Sequence, residues 1–167
     1  MSRFRKKPRP RTVPTEKDWG NYQSDLDTEE AHRLFAGRTN AEMQRHFRSN
    51  VIARTEDLQW MPEIPFRYYM LGFRDFLIAG DFGDKYASVA ASCFLRLVTT
   101  KLQNHPRHIM PIMPELLPTI EHVARNQAGF EANEDIYGDF LEQWKCIQQL
   151  FEDRGGIAYS NQLNEFL

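Results

Sequence analysis

Asp84-Lys-Tyr-Ala-Ser-Val-Ala-Ala-Ser-Cys-Phe-Leu-Arg-Leu-Val-Thr-Thr-Lys-Leu-Gln-Asn104 decides the fold class. It contains neither proline nor glycine, and Ala87, Ala90, Ala91, Phe94, Leu95, Val98 and Leu102 recur at spacings of three and four. That period lays them on one broad face of a helix. The small residues at its start imply close approach of a second helix. Immediately upstream, Gly80, Asp81 and Gly83 punctuate the chain. Before them, Phe66, Met70, Phe73 and Leu77 form the stripe of another helix, opened by Pro65 and running to about Ala79.

The same pattern continues outward. Asp27 or Thr28 can cap a helix that Gly37 stops, with Glu29 and Glu30 in its first turn. Thr39 with Glu42 forms a capping box ahead of Met43, Phe47 and Val51. Residues 58–65 read as an apolar turn, because Pro62 and Pro65 bias the residues before them away from helix. Pro106, Pro111, Pro114 and Pro118 read as a kinked connector. A helix follows over Thr119 to Gln127, and a long one over about Asn133 to Asp153. No segment alternates with period two long enough to predict a strand. The expectation is an all-α protein, an irregular bundle of about five or six helices in a single domain.

The length of 167 residues suits one domain, and a composition 41% hydrophobic and 26% charged is that of a globular chain. Residues 1–12 hold Arg3, Arg5, Lys6, Lys7, Arg9 and Arg11 and no acid, leaving 15 basic against 23 acidic residues over 13–167. Like charges interleaved with Pro8, Pro10 and Pro14 cannot build a core. The chain therefore divides into a basic disordered leader over 1–15, a helical domain over 16–156 and a loosely held extension over 157–167. No run approaches the ~20 apolar residues of a membrane span. The leader lacks the apolar stretch of a signal peptide, so a cytoplasmic location is expected. Cys93 and Cys146 lie among apolar residues and read as two buried thiols.

Catalytic and metal chemistry find little support. Glu29 and His32 stand three apart on one helix face, but a carboxylate-bridged metal site needs a second such pair. Glu42 and His46 share a charged helix face. His105-Pro-Arg-His108 supplies two nitrogens where zinc takes three or four ligands. Asp81-Phe-Gly lacks every other part of the kinase signature, and Glu131-Ala-Asn-Glu-Asp135 lacks calcium-loop spacing. No catalytic residue, cofactor or metal is expected. The remaining enzyme reading is a site assembled in the bundle from Glu29, His32 and His122.

Two features point to binding instead. The helix after Pro65 carries rings around most of its circumference. Either it is central and buried all round, or some of Tyr68, Tyr69, Phe73 and Phe76 are exposed beside Arg67 and Arg74 as an interface. The body is acidic, which attracts basic partners and repels nucleic acid. The expectation is therefore a protein-binding module, in its most specific form an inhibitor or immunity-type protein that occludes a basic enzyme or toxin. Its contacts would be Tyr68, Glu131, Glu134, Asp135, Tyr137 and Asp139. The alternative is an accessory protein that reaches nucleic acid or the ribosome through Arg3, Arg5, Lys6, Lys7, Arg9 and Arg11 of the leader alone.

Overall fold

The computed structural model describes residues 11–83 and 86–156. Among them there is no strand, and the helices are α1 (Leu26–Phe35), α2 (Asn40–Ser49), α3 (Val51–Trp60), α4 (Glu63–Ala79), α5 (Ala87–Asn104), α6 (Pro106–Ile109), α7 (Met113–Arg125), α8 (Glu134–Tyr137) and α9 (Phe140–Asp153). Short 3-10 turns at Glu16–Trp19 and Tyr22–Ser24 precede α1, and another at Met110–Ile112 leads into α7. The all-α class is as the sequence predicts. The number of helices exceeds five or six because three segments divide differently from the pattern.

Each difference has a local cause. The Asn50 side chain accepts from Ala53 N and caps a new helix, α3, that takes in residues 58–60 of the expected turn over 58–65, while α4 takes in 63–65. The prolines over 106–118 open helices more than they break them. Pro106 starts α6 and Pro114 sits in the first turn of α7, where a missing N–H is no loss. Only Pro118 falls inside a helix. The last long helix is cut in two at Gly138, whose φ of 76° no helix accommodates.

Helix α4 packs against α2, α3, α5, α6 and α7, and α5 against α3, α6 and α9. The all-round aromatic pattern of α4 thus marks a central helix: Tyr69, Phe73 and Phe76 are buried and Tyr68 is half-buried. A train of rings runs through the core from Trp19 to Tyr69, Phe35, Phe47, Phe73 and Phe94 at centroid separations of 4.9–6.4 Å. Each fully buried ring contributes about 2–3 kcal/mol of transfer free energy. The Tyr69 hydroxyl donates toward the carbonyls of Phe35 (2.6 Å) and Arg38 (2.8 Å), closing the C-terminal end of α1 onto α4.

The core contains one lysine. Lys101 on α5 is 1% exposed. Its ammonium donates to the Gln59 carbonyl at 2.8 Å, lies 3.3 Å from His108 Nδ1 and sits 4.5 Å above the Phe66 ring. Burial pulls the Lys101 amine down to about 8. Burial, with Lys101 beside it, pulls the His108 imidazole down to about 4. His108 is therefore part of the packing that seats α6 on α4 and α5.

Cys93 is buried, which pushes its thiol up, but Cys146 is exposed on α9, contrary to the expected pair of buried thiols. Among the described residues, no helix is long and apolar enough to cross a membrane.

Candidate protein-binding surface

Residues 131–142 contain Glu131, Glu134, Asp135, Asp139 and Glu142 and no basic residue. Glu131, Glu134, Asp135 and Glu142 are exposed. Among the described residues, Glu142 pairs with Lys145 at 2.7 Å, whereas Glu131, Glu134 and Asp135 have no ion pair. An exposed pair of this kind contributes little, so the segment keeps a nearly uncompensated negative charge.

The backbone beneath these acids is tightly specified. Gln127, at the end of α7, donates through Nε2 to the carbonyls of Ala132 (3.1 Å) and Gly138 (2.8 Å) and accepts from Phe140 N at 2.9 Å. Gln143 donates to the Tyr137 carbonyl at 2.9 Å. Asn133 caps α8 through Asp135 N, and Asp139 caps α9 by accepting from Leu141 N and Glu142 N. The Tyr137 hydroxyl meets Ser88 Oγ at 3.3 Å and ties the ridge to the first turn of α5. Glu131 is held at φ +54°, a left-handed conformation that costs a non-glycine residue about 1–2 kcal/mol. The surrounding bonds hold that conformation in place.

This ridge also carries apolar side chains. Ile136 is 72% exposed and Leu141 43% exposed, each flanked by carboxylates. The sequence period places both on the inward face of one continuous helix. The break at Gly138 changes the register and turns them out. The visible signal was the pair Gly138-Asp139, a left-handed residue followed by a helix cap.

A pocket of about 150 Å³ lies among α2, α3, α4 and α5, with none of residues 131–142 in its lining. Phe47, Val51, Phe76, Phe82 and Val89 line it, and Ile52 is exposed at its edge. The Phe82 ring lies 5.2 Å from Phe76 and 6.1 Å from Phe130, the buried residue that precedes Glu131. The Phe82 ring thus links the pocket to Phe130, one residue before the acidic ridge.

The predicted contact residues separate into two places. Glu131, Glu134, Asp135, Tyr137 and Asp139 fall together, with Tyr137 half-buried and Asp139 engaged as a cap. Tyr68 lies elsewhere. Its hydroxyl accepts from Asn40 N at 3.3 Å, its carbonyl accepts from Asn40 Nδ2 at 2.9 Å, and its ring packs on Tyr69. It stands eight residues, about 12 Å along α4, from Phe76. Of the leader cations, Arg11 pairs with Glu115 on α7. Arg3, Arg5, Lys6, Lys7 and Arg9 lie outside the described residues.

The histidines have other neighbours. His32 Nε2 lies 2.9 and 3.0 Å from the Glu16 carboxylate oxygens, and its ring stacks on Tyr22 at 3.6 Å. That bond holds the Glu16 carboxyl below its usual range. His122 is on α7 beside Asn126 and Phe130. His32 thus pairs with Glu16 and not with Glu29. Among the described residues, no group of three or more His, Cys, Asp or Glu side chains is arranged to hold a metal ion. The chain matches no known protein family, no curated protein and no solved structure.

Proposed function

We propose that this protein is a stoichiometric binding module, an inhibitor or immunity-type protein whose acidic ridge covers a basic face of a partner enzyme or toxin. The observation that carries the reading is the combination on residues 131–142: an uncompensated acidic rim around exposed Ile136 and Leu141, on a backbone pinned by Gln127 and Gln143. Apolar residues within a charged rim are the arrangement of a protein interface, where the rim steers approach and the apolar centre supplies affinity. A pinned backbone loses little entropy on docking. The carboxylates would stand in for the anionic groups that a basic active site attracts.

The test is capture from native lysate at low salt, with wild-type protein beside an E134K/D135K variant and an Ile136→Asp variant. One basic protein at 1:1 is expected on the wild type, released by high salt and lost from both variants. A partner retained equally by all three proteins, with unchanged salt dependence, would place the binding surface elsewhere.

A further inference from the structure

A second surface has the opposite charge. The described residues as a whole hold 15 Lys and Arg against 21 Asp and Glu. In spite of that balance, a groove of about 570 Å³ is lined by Arg67, Arg107 and Arg154 with Glu63 as its single acid. The three guanidiniums come from three separate elements: α4, α6 and the C-terminal cap of α9.

Two of them are oriented by backbone carbonyls. Arg67 donates through Nε to the His108 carbonyl at 3.1 Å and through a terminal nitrogen to the Arg107 carbonyl at 2.6 Å. Arg154 donates to the Gln103 carbonyl at 3.2 Å. A carbonyl fixes a guanidinium without cancelling its charge. Among the described residues, only Arg67 of the three has an acid partner, Glu63. Arg107 is exposed and its side chain has no partner among the described residues. The groove therefore keeps two positive charges in excess. Pro106, Met110 and Pro111 form an apolar wall beside the cations.

Arg154 is held in place by the Gln103 carbonyl and the exposed Arg107 is free to close on a ligand, and guanidiniums so placed recognise planar or tetrahedral oxyanions through paired N–H donors. We propose that this groove binds the phosphoryl group of a small phosphorylated ligand, with Arg107 and Arg154 on the anion and Met110 and Pro111 against the ligand's apolar body. The acidic balance of the described residues favours a small anion over an extended polyanion.

The probes are inorganic pyrophosphate and phenyl phosphate, with inorganic phosphate as the reference, titrated into the full chain by calorimetry and by thermal shift. Saturable 1:1 binding is expected for both, several-fold tighter for phenyl phosphate than for inorganic phosphate. Arg107→Ala and Arg154→Ala should each weaken binding at least tenfold. Arg107→Ala should leave the melting temperature of the free protein unchanged, because that side chain supports nothing else. Met110→Ser should weaken phenyl phosphate and spare pyrophosphate. Lys145→Ala removes the same charge from exposed α9 and should change nothing. Non-saturating binding, equal losses from Lys145→Ala and Arg107→Ala, or full affinity in Arg107→Ala would each overturn the site. A single-stranded oligonucleotide that binds more tightly than either probe, and is released by Arg107→Ala, would overturn the small-ligand assignment.

Discussion

At the scale of single residues, Gly72 and Lys101 sit where helix preference and packing disagree. Alanine is worth about 1 kcal/mol more than glycine inside a helix, but a Cβ on Gly72 would fall 2.2 Å from Asn40 Oδ1 and 2.6 Å from its Cγ. Asn40 cannot yield freely, because its amide donates to the Tyr68 carbonyl and Gln44 donates to the Gly72 carbonyl beside it. Gly72→Ala should therefore destabilise the protein by about 1–3 kcal/mol, measured by denaturant titration. The loss should shrink in an Asn40→Ala background. Lys101 works against stability by its charge. Its folded amine titrates near 8 against an ordinary 10.5, so between those values the unfolded chain binds more protons and stability rises with pH. The depression corresponds to roughly 3 kcal/mol across the window. Tyr69 opposes it above pH 10, since burial raises its phenol and the unfolded chain releases that proton first. The measurable signature is a rise in unfolding free energy from pH 8 to pH 10. Lys101→Met should flatten that rise and raise stability at pH 7 by about 1 kcal/mol.

At the scale of elements, the ridge depends on glutamine side chains that no periodic pattern displays. Gln127→Ala would remove one side chain that serves two carbonyls and one N–H. Losing such a staple costs about 1–3 kcal/mol. The ridge is an irregular segment between α7 and α9, so the loss should also be local. Hydrogen exchange at Phe140 should accelerate strongly while amides at the centre of α5 keep their protection, and equal acceleration at both would mean the staple is global. The long elements were legible because their cores repeat at three and four: Phe94, Leu95, Val98 and Leu102 on α5 are all buried. Element ends were legible where a side chain supplies the cap, as Thr39 and Glu42 do for α2. Asn50 and Gly138 are residue types that cap and break helices, but the apolar period runs across both and masks them. The acids of the ridge could be read from the sequence. The outward turn of Ile136 and Leu141 could not, since it follows from that break.

At the scale of the whole molecule, the buried apolar residues form one continuous cluster from Trp19 to Phe151. A single core implies one cooperative transition. Trp19 and Trp144, buried at opposite ends of the described sequence, should report the same fluorescence midpoint as the helical signal at 222 nm; separated midpoints would mean the molecule has two folding units. The net charge of −2 hides how charge is distributed. The burial of Lys101 and the grouping of Arg67, Arg107 and Arg154 arise from contacts between distant segments, so no local pattern of residues announces a basic groove. Helix α9 joins the two charged surfaces: Asp139 caps its start and Arg154 its end. Its 14 residues separate them by about 20 Å. The exposed Cys146 lies between, about 9 Å along the axis from Phe140 and about 12 Å from Arg154. Cys93 is shielded, so a maleimide dye would attach to the native protein at one address. Without any engineered mutation, that fluorophore would stand within reach of both surfaces and register the arrival of either ligand.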